Sequence, residues 1–230
     1  MKTLNQWLLD VFGYQCRDAR IFESALTHRS VGGQHNERLE FLGDAVLSCV
    51  TADLLYRHFP HAPEGELSRY RATLVSGESL ATIAAEFNLG DRMQLGTGEL
   101  KSGGFRRKSI LADALEALFG AVYLDGGFAA AAAVIEKIFA SRLHSLPNAA
   151  QLKDPKTRLQ EVLQSRSMPL PEYAVEAITG EPHTQHFRVF CGIASLSIRT
   201  YGEGSSRRSA EQEAAKSALE QLPPDWKATR

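Results

Sequence analysis

The sequence predicts an all-α N-terminal domain followed by a small α+β domain of order α-β-β-β-α. Three observations carry this. From Leu4 to His144, apolar residues recur at three- and four-residue spacing and no segment alternates as a strand does. Ser145–Lys153, with Pro147, Asn148 and a run of small residues, has no periodicity and marks a linker. Beyond it, three short segments alternate with period two, and a helical pattern stands on each side of them. The expected organisation is a first domain over residues 1–146, a linker over 147–153, a second domain over 154–224 and a tail over 225–230.

The elements follow in order. Leu4, Trp7, Leu8, Val11 and Phe12 suit a short amphipathic helix closed by Gly13, and Asp18 suits an N-cap for Ala19–Thr27. The polar loop Ser30–His35 leads into a helix from Asn36 to about Tyr56. Phe59-Pro60-His61-Ala62-Pro63 breaks the chain, and Glu64 opens the next helix, with Leu67, Tyr70, Leu74 and Val75 along it. Ser76 caps Gly77–Phe87, which Asn88-Leu89-Gly90 ends. Gly96–Phe105 is a glycine-rich loop holding Lys101, with Arg106, Arg107 and Lys108 after it. Ser109–Tyr123 is helical and closed by Gly126-Gly127, and Ala129–His144 makes an alanine-rich helix. In the second domain, Asp154 caps a helix with Pro155 at its first position, running to about Arg166. Strands over Glu172–Ile178, Gln185–Cys191 and Leu196–Tyr201 follow, then a helix over Ala210–Leu222.

Composition narrows the class. The 230 residues carry a formal net charge of −1, so any basic surface for nucleic acid must be local. Cys16, Cys49 and Cys191 are scattered and odd in number, which suggests reduced thiols in a cytoplasmic protein. No stretch approaches the length of a membrane span, and the first twelve residues lack the pattern of a signal peptide.

The acidic residues carry the chemistry. On a helical wheel Glu37, Glu40 and Asp44 lie within about a sixth of a turn of each other. Leu39, Leu42, Val46, Cys49 and Val50 form the opposite, core-facing stripe, and Phe41 and Ala45 sit beside the acids. Like charges at this spacing destabilise a helix by a few tenths of a kcal/mol each. A solvated acidic face and a site for a hard divalent cation both fit that pattern. Asp113 and Glu116 share one face of an otherwise apolar helix, where acids are rarely solvating decoration. Two helices that each offer a pair of carboxylates can enclose one or two Mg²⁺ ions. His28 and His35 have no second soft ligand nearby and suit loop positions. The cluster Lys101, Arg106, Arg107 and Lys108 suits either phosphate contact or a solvated turn. Arg207 and Arg208 stand at the start of the last helix, where cations oppose the macrodipole by about 0.3–1 kcal/mol each. A phosphate would supply the missing partner.

Asn36-Glu37-Arg38-Leu39-Glu40-Phe41-Leu42-Gly43-Asp44 resembles the signature motif of the ribonuclease III family. Ala112-Asp113-Ala114-Leu115-Glu116-Ala117 resembles its second acidic motif, and Glu64-Gly65-Glu66-Leu67-Ser68-Arg69 a third. The α-β-β-β-α order over the last 70 or so residues resembles the double-stranded-RNA-binding domain. The resemblance runs from about Leu4 to Leu222. It implies a Mg²⁺-dependent endoribonuclease, with Mn²⁺ as a substitute, that makes staggered cuts in double-stranded RNA and leaves 5′-phosphate and 3′-hydroxyl ends. It assigns Glu40, Asp44, Asp113 and Glu116 to the metals, Asp44 and Glu116 to the chemistry, and Glu37 and Glu64 to secondary places in the cleft. It implies a homodimer with Phe41 and Ala45 at its interface, and two clefts in one valley. It assigns Thr157, Gln160, Glu161 and His183 to minor-groove contacts and Ser205, Ser206, Arg207 and Arg208 to phosphate. The implied substrates are ribosomal RNA precursors, some messengers and structured small RNAs of a bacterium. The rival readings are a non-cleaving RNA-binding protein and a His-Asp phosphohydrolase. All four acids are present and no His-Asp dyad falls on a helix, which favours the nuclease.

Overall fold

The computed structural model describes residues 2–147, 152–181, 183–223 and 226. The chain divides into two compact units, Met1–Leu146 and Pro147–Arg230. Residues 148–151 of the expected linker, and all of the expected tail except Trp226, lie outside the described residues.

The first unit is helical throughout. Helix α1 (Leu4–Phe12) is capped by the Thr3 hydroxyl and closed by Gly13, whose φ of 69° is a left-handed conformation that glycine adopts without strain. Asp18 caps α2 (Ala19–Ala25) by accepting from the Arg20 N–H. This helix stops short of Thr27 because Thr27 bridges in parallel to Gln94. Then come α3 (Glu37–His58), α4 (Glu64–Leu74) and α5 (Gly77–Glu86), the last capped by Ser76. The stretch expected as a glycine-rich loop instead holds a short helix, α6 (Thr97–Lys101), and a 3-10 turn, Gly104–Arg106, with left-handed Gly103 between them. Helices α7 (Lys108–Gly126) and α8 (Phe128–His144) complete the unit.

Helix α7 is the centre of the core. Ile110, Leu111, Leu115, Leu118, Phe119 and Val122 are all buried along it. Helix α3 lies against it at a distance set by two glycines. A Cβ on Gly43 would stand 1.8 Å from the Glu116 carbonyl oxygen, and one on Gly120 would stand 2.3 Å from that of Leu39. The buried face of α3 is Leu39, Val46, Leu47, Val50, Leu54 and Leu55. Cys49, expected in this stripe, is exposed, and Leu42 is half-buried. The line of contact with α7 through Gly43 rotates Leu47 inward and Cys49 outward.

The second unit opens with α9 (Pro155–Gln164), capped by the Asp154 carboxylate at 3.0 Å from the Thr157 N–H. Strands β1 (Glu172–Thr179), β2 (His186–Ile193) and β3 (Ile198–Gly204) form an antiparallel sheet in that order. Helix α10 (Arg207–Gln221) packs on β2 and β3. Leu159, Leu163, Cys191, Ile193, Ala214 and Ala218 form the core between helices and sheet. Small residues allow the close approach, since a Cβ on Gly202 would stand 2.2 Å from the Ala214 nitrogen. Helix α10 begins three residues earlier than its apolar pattern suggests, because the Ser206 hydroxyl accepts from the Ser209 N–H at 3.1 Å. Among the described residues, no helix is long and apolar enough to cross a membrane.

Candidate active site and nucleic-acid interface

Glu40 on α3 and Asp113 and Glu116 on α7 converge. One carboxylate oxygen from each lies within 4.8 Å of the others, and all three side chains are half-buried. Among the described residues no other group of three His, Cys, Asp or Glu side chains meets in this way. The Gly43–Glu116 contact brings these acids together, a role for Gly43 that the pattern of the acids alone does not signal. Burial first, then the charges of Asp44, Glu40 and Asp113, push the Glu116 carboxyl up to about 8. Burial and the charges of Asp113, Glu37 and Asp44 also raise Glu40, against an opposing effect of Arg29. Asp113 is raised by burial, with His28 and Arg29 acting against the rise. Asp44, one turn beyond Glu40, is exposed and outside the group of three, yet it is the foremost charge acting on Glu116.

Such a site has more negative charge than its surroundings neutralise, and its donors are all hard oxygens. Both properties fit a hard divalent cation such as Mg²⁺ and fit a soft metal poorly.

A polar cleft of about 490 Å³ adjoins these acids. Glu37, Glu40 and Asp113 line it, and His28, Arg29 and Arg107 bring donors to it. Glu37 accepts from Arg29 at 3.1 Å, and Arg107 pairs with Glu99 at 2.7 Å. Of the neighbouring basic residues, Lys108 pairs with Glu78 at 2.9 Å and Arg106 lies over the Phe105 ring. His28, expected as a plain loop residue, is thus part of the cleft; its place depends on a long-range contact that no local spacing signals.

Glu64 is not in this cleft. It lies at the start of α4 in a separate pocket with Leu55, Tyr56 and Ser68, and accepts from the Ser68 hydroxyl at 2.7 Å. Tyr56 is sixteen residues along α3 from Glu40, which is roughly 24 Å at the helical rise. Within one protomer Glu64 therefore stands apart from the three converging acids. Phe41 is 81% exposed, the most of any large apolar side chain described, and Ala45 is exposed one turn further on. An apolar pocket of about 530 Å³ opens beside the same helix, lined by Ile21, His35, Leu39, Leu42 and Leu124.

In the second unit, Ser205, Ser206, Arg207 and Arg208 are exposed at the start of α10. Arg207 is braced by Glu211 at 2.8 Å, and Glu211 also takes Lys156 at 2.6 Å. That buried carboxylate ties α9 to α10, and sequence periodicity gives no sign of it. On α9 the Thr157 hydroxyl donates to Asp154 at 2.8 Å, Glu161 pairs with Lys153 at 2.5 Å, and Gln160 is exposed. His183 is exposed in the β1–β2 connection.

Comparison with known proteins agrees with this picture. Residues 18–143 match the ribonuclease-III-like family profile, and residues 155–222 match that of the double-stranded RNA binding motif. A protein named ribonuclease 3 from Vibrio cholerae is 54% identical over 94% of this chain and 96% of its own length. Another of that name, from Alkalilimnicola ehrlichii, is 54% identical over 96% of this chain and 97% of its own. Among solved structures, a nuclease domain of ribonuclease III from Campylobacter jejuni superimposes with a TM-score of 0.59 at 39% identity, covering 64% of this chain and all of that one. A second structure of that domain, described for structural flexibility in a region involved in dimer formation, gives 0.56 at 43% identity, over 59% of this chain and 98% of that one. The chain belongs to the ribonuclease III family, an endoribonuclease unit followed by a double-stranded-RNA-binding unit.

Proposed function

We propose that this protein is a Mg²⁺-dependent homodimeric endoribonuclease of the cytoplasm that makes staggered cuts in both strands of double-stranded RNA. Its substrates in this reading are ribosomal RNA precursors and other structured RNAs. The convergence of Glu40, Asp113 and Glu116 within 4.8 Å is the observation that carries the proposal. Residues 1–146 carry the chemistry and residues 154–224 hold the duplex, joined by 147–153, with 225–230 as a tail. Glu40, Asp44, Asp113 and Glu116 hold the cation, and Mn²⁺ can replace Mg²⁺ because the donors are carboxylate oxygens. A bound cation lowers the pKa of water and neutralises charge on the phosphate. Asp44 and Glu116 orient the attacking water, and Glu37 supports Glu40 from the cleft wall. Attack by water from the side opposite the 3′-oxygen expels that oxygen, which leaves a 5′-phosphate and a 3′-hydroxyl.

The dimer reading is supported by Phe41. A ring this exposed beside an apolar pocket wants a partner surface, and a two-fold interface would seat the ring and Ala45 of each protomer against the other. In the second unit, Thr157, Gln160, Glu161 and His183 contact the shallow minor groove, which displays 2′-hydroxyls. Ser205, Ser206, Arg207 and Arg208 take phosphate at the N-terminus of α10. Three free cysteines, two of them buried, support a reducing compartment.

One labelled RNA duplex, incubated with and without Mg²⁺ and run on denaturing and native gels, tests the proposal. Mg²⁺-dependent cutting of both strands with 5′-phosphate ends is expected. Tight binding with no cutting at any Mg²⁺ concentration would overturn it in favour of an RNA-binding protein.

A further inference from the structure

The proposed chemistry makes no use of His28, yet the fold fixes this side chain with care. The Thr27–Gln94 bridge places it, and the His28 N–H donates to the Gln94 carbonyl at 3.0 Å. Its ring then caps the 3-10 turn Arg29–Val31. Nδ1 accepts from the Ser30 N–H at 3.2 Å and lies 2.8 Å from the Ser30 hydroxyl. That hydroxyl also accepts from the Gly96 N–H at 2.9 Å, which leaves its own proton directed to Nδ1. Glycine is needed at 96, since a Cβ there would stand 2.3 Å from the Ser30 carbonyl oxygen.

With two donors on Nδ1, the ring proton belongs on Nε2. A nitrogen that carries a proton does not ligate a metal, so His28 is a hydrogen-bond donor in a cleft that also holds Glu37, Glu40, Glu99 and Asp113. Nε2 has no hydrogen-bond partner among the described residues. The nearby guanidiniums are already engaged, Arg29 by Glu37 and Arg107 by Glu99. An N–H donor at this position can hold an anionic oxygen, which the neighbouring carboxylates cannot do.

We infer that His28 Nε2–H is a substrate-positioning donor to a non-bridging phosphate oxygen of the RNA strand being cut, with Ser30 and Gly96 holding its tautomer. The inference rests on the nuclease reading above. It is tested with the full chain, Mg²⁺ and three labelled duplexes. One is all-oxygen, and the others carry a single sulfur in place of one or the other non-bridging oxygen at the cut site. His28→Ala should slow single-turnover cleavage of the all-oxygen duplex by about tenfold to a hundredfold. His28→Gln, which keeps an N–H at similar reach, should recover most of that loss. On the duplex whose sulfur replaces the bonded oxygen, the effect of His28→Ala should shrink to within about threefold, because the contact is already weakened. Ser30→Ala keeps the ring and releases its tautomer, and should give a smaller loss with the same dependence on sulfur.

Cleavage by His28→Ala within about twofold of wild type would overturn the inference. So would an equal loss on all three duplexes with no recovery in His28→Gln, which is the mark of a structural role. Should His28→Ala fail to fold, Ser30→Ala on the same duplexes decides the matter by its dependence on sulfur: a loss that sulfur removes supports the inference, and a loss that sulfur leaves unchanged overturns it. A wild-type chain that cuts no duplex refutes the nuclease reading itself; a cutting wild type with an indifferent His28 refutes only this step.

Discussion

Replacing Glu116 by glutamine is expected to stabilise the cation-free protein while abolishing cleavage. Burial and the charges of Asp44, Glu40 and Asp113 raise the Glu116 carboxyl from 4.5 to about 8. The unfolded chain gives up this proton near 4.5 and the folded chain keeps it to about 8. Between those values the folded state binds more protons than the unfolded one, so stability falls as pH rises through the window. At neutral pH the difference amounts to about 3 kcal/mol, at about 1.4 kcal/mol per pH unit. Water screening of a side chain that is only half-buried reduces it to about 1–2 kcal/mol. Glutamine has the same shape and no charge to desolvate, so Glu116→Gln recovers that amount. Calorimetry of both proteins in a chelator, following the transition of the N-terminal unit, reads it out. The gap should be small near pH 5, open to about 1–2 kcal/mol by pH 8, and close on adding Mg²⁺, which stabilises the wild type more. A gap that does not vary with pH, or a Glu116→Gln protein that is the less stable one at pH 8, would refute the reasoning.

Other substitutions probe the remaining parts. Phe41→Asp should convert dimer to monomer in light scattering at micromolar concentration and stop paired cutting of the two strands, with the melting temperature of the unit little changed. Gly43→Ala places a Cβ against the Glu116 carbonyl and should cost about 1–3 kcal/mol of stability in urea titration together with most of the cleavage. The double change Arg207→Ala and Arg208→Ala should flatten the slope of log affinity against log salt by roughly one to two, as loss of one or two phosphate contacts requires. Because loading a cation must strip the proton from Glu116, apparent Mg²⁺ affinity should climb as pH rises toward about 8, and titration calorimetry in buffers of different ionisation heat should show proton release.

Much of this protein can be read from local pattern. Helical spacing up to His144 and alternation after Pro169 separate the two fold classes, because side-chain direction repeats every 3.6 residues in a helix and every two in a strand. Asp18, Ser76 and Asp154 cap the helices they precede, since a cap needs only an acceptor within three residues of a free N–H. The placement of Glu40, Asp113 and Glu116 on helices was equally legible, as was the exposure of Phe41 beside the acids.

Distances between segments were not. The wheel groups Glu37, Glu40 and Asp44 on one helix, but the oxygens that meet within 4.8 Å are those of Glu40, Asp113 and Glu116, and the spacing of α3 from α7 at Gly43 and Gly120 decides this. Cys49 faces outward and Leu47 inward because the rotation of α3 is set by what it packs on. Glu64 begins a helix as expected, yet it lies far along α3 from the acids, which its own neighbours in the chain do not reveal. His28 enters the cleft only through Gln94 and Gly96, more than sixty residues away. Local sequence therefore determined which elements form and which faces carry charge, because those depend on backbone geometry within a few residues. The tertiary structure alone decided which charged groups meet and how strongly they perturb each other, because burial and Coulomb energy depend on separation in space rather than along the chain.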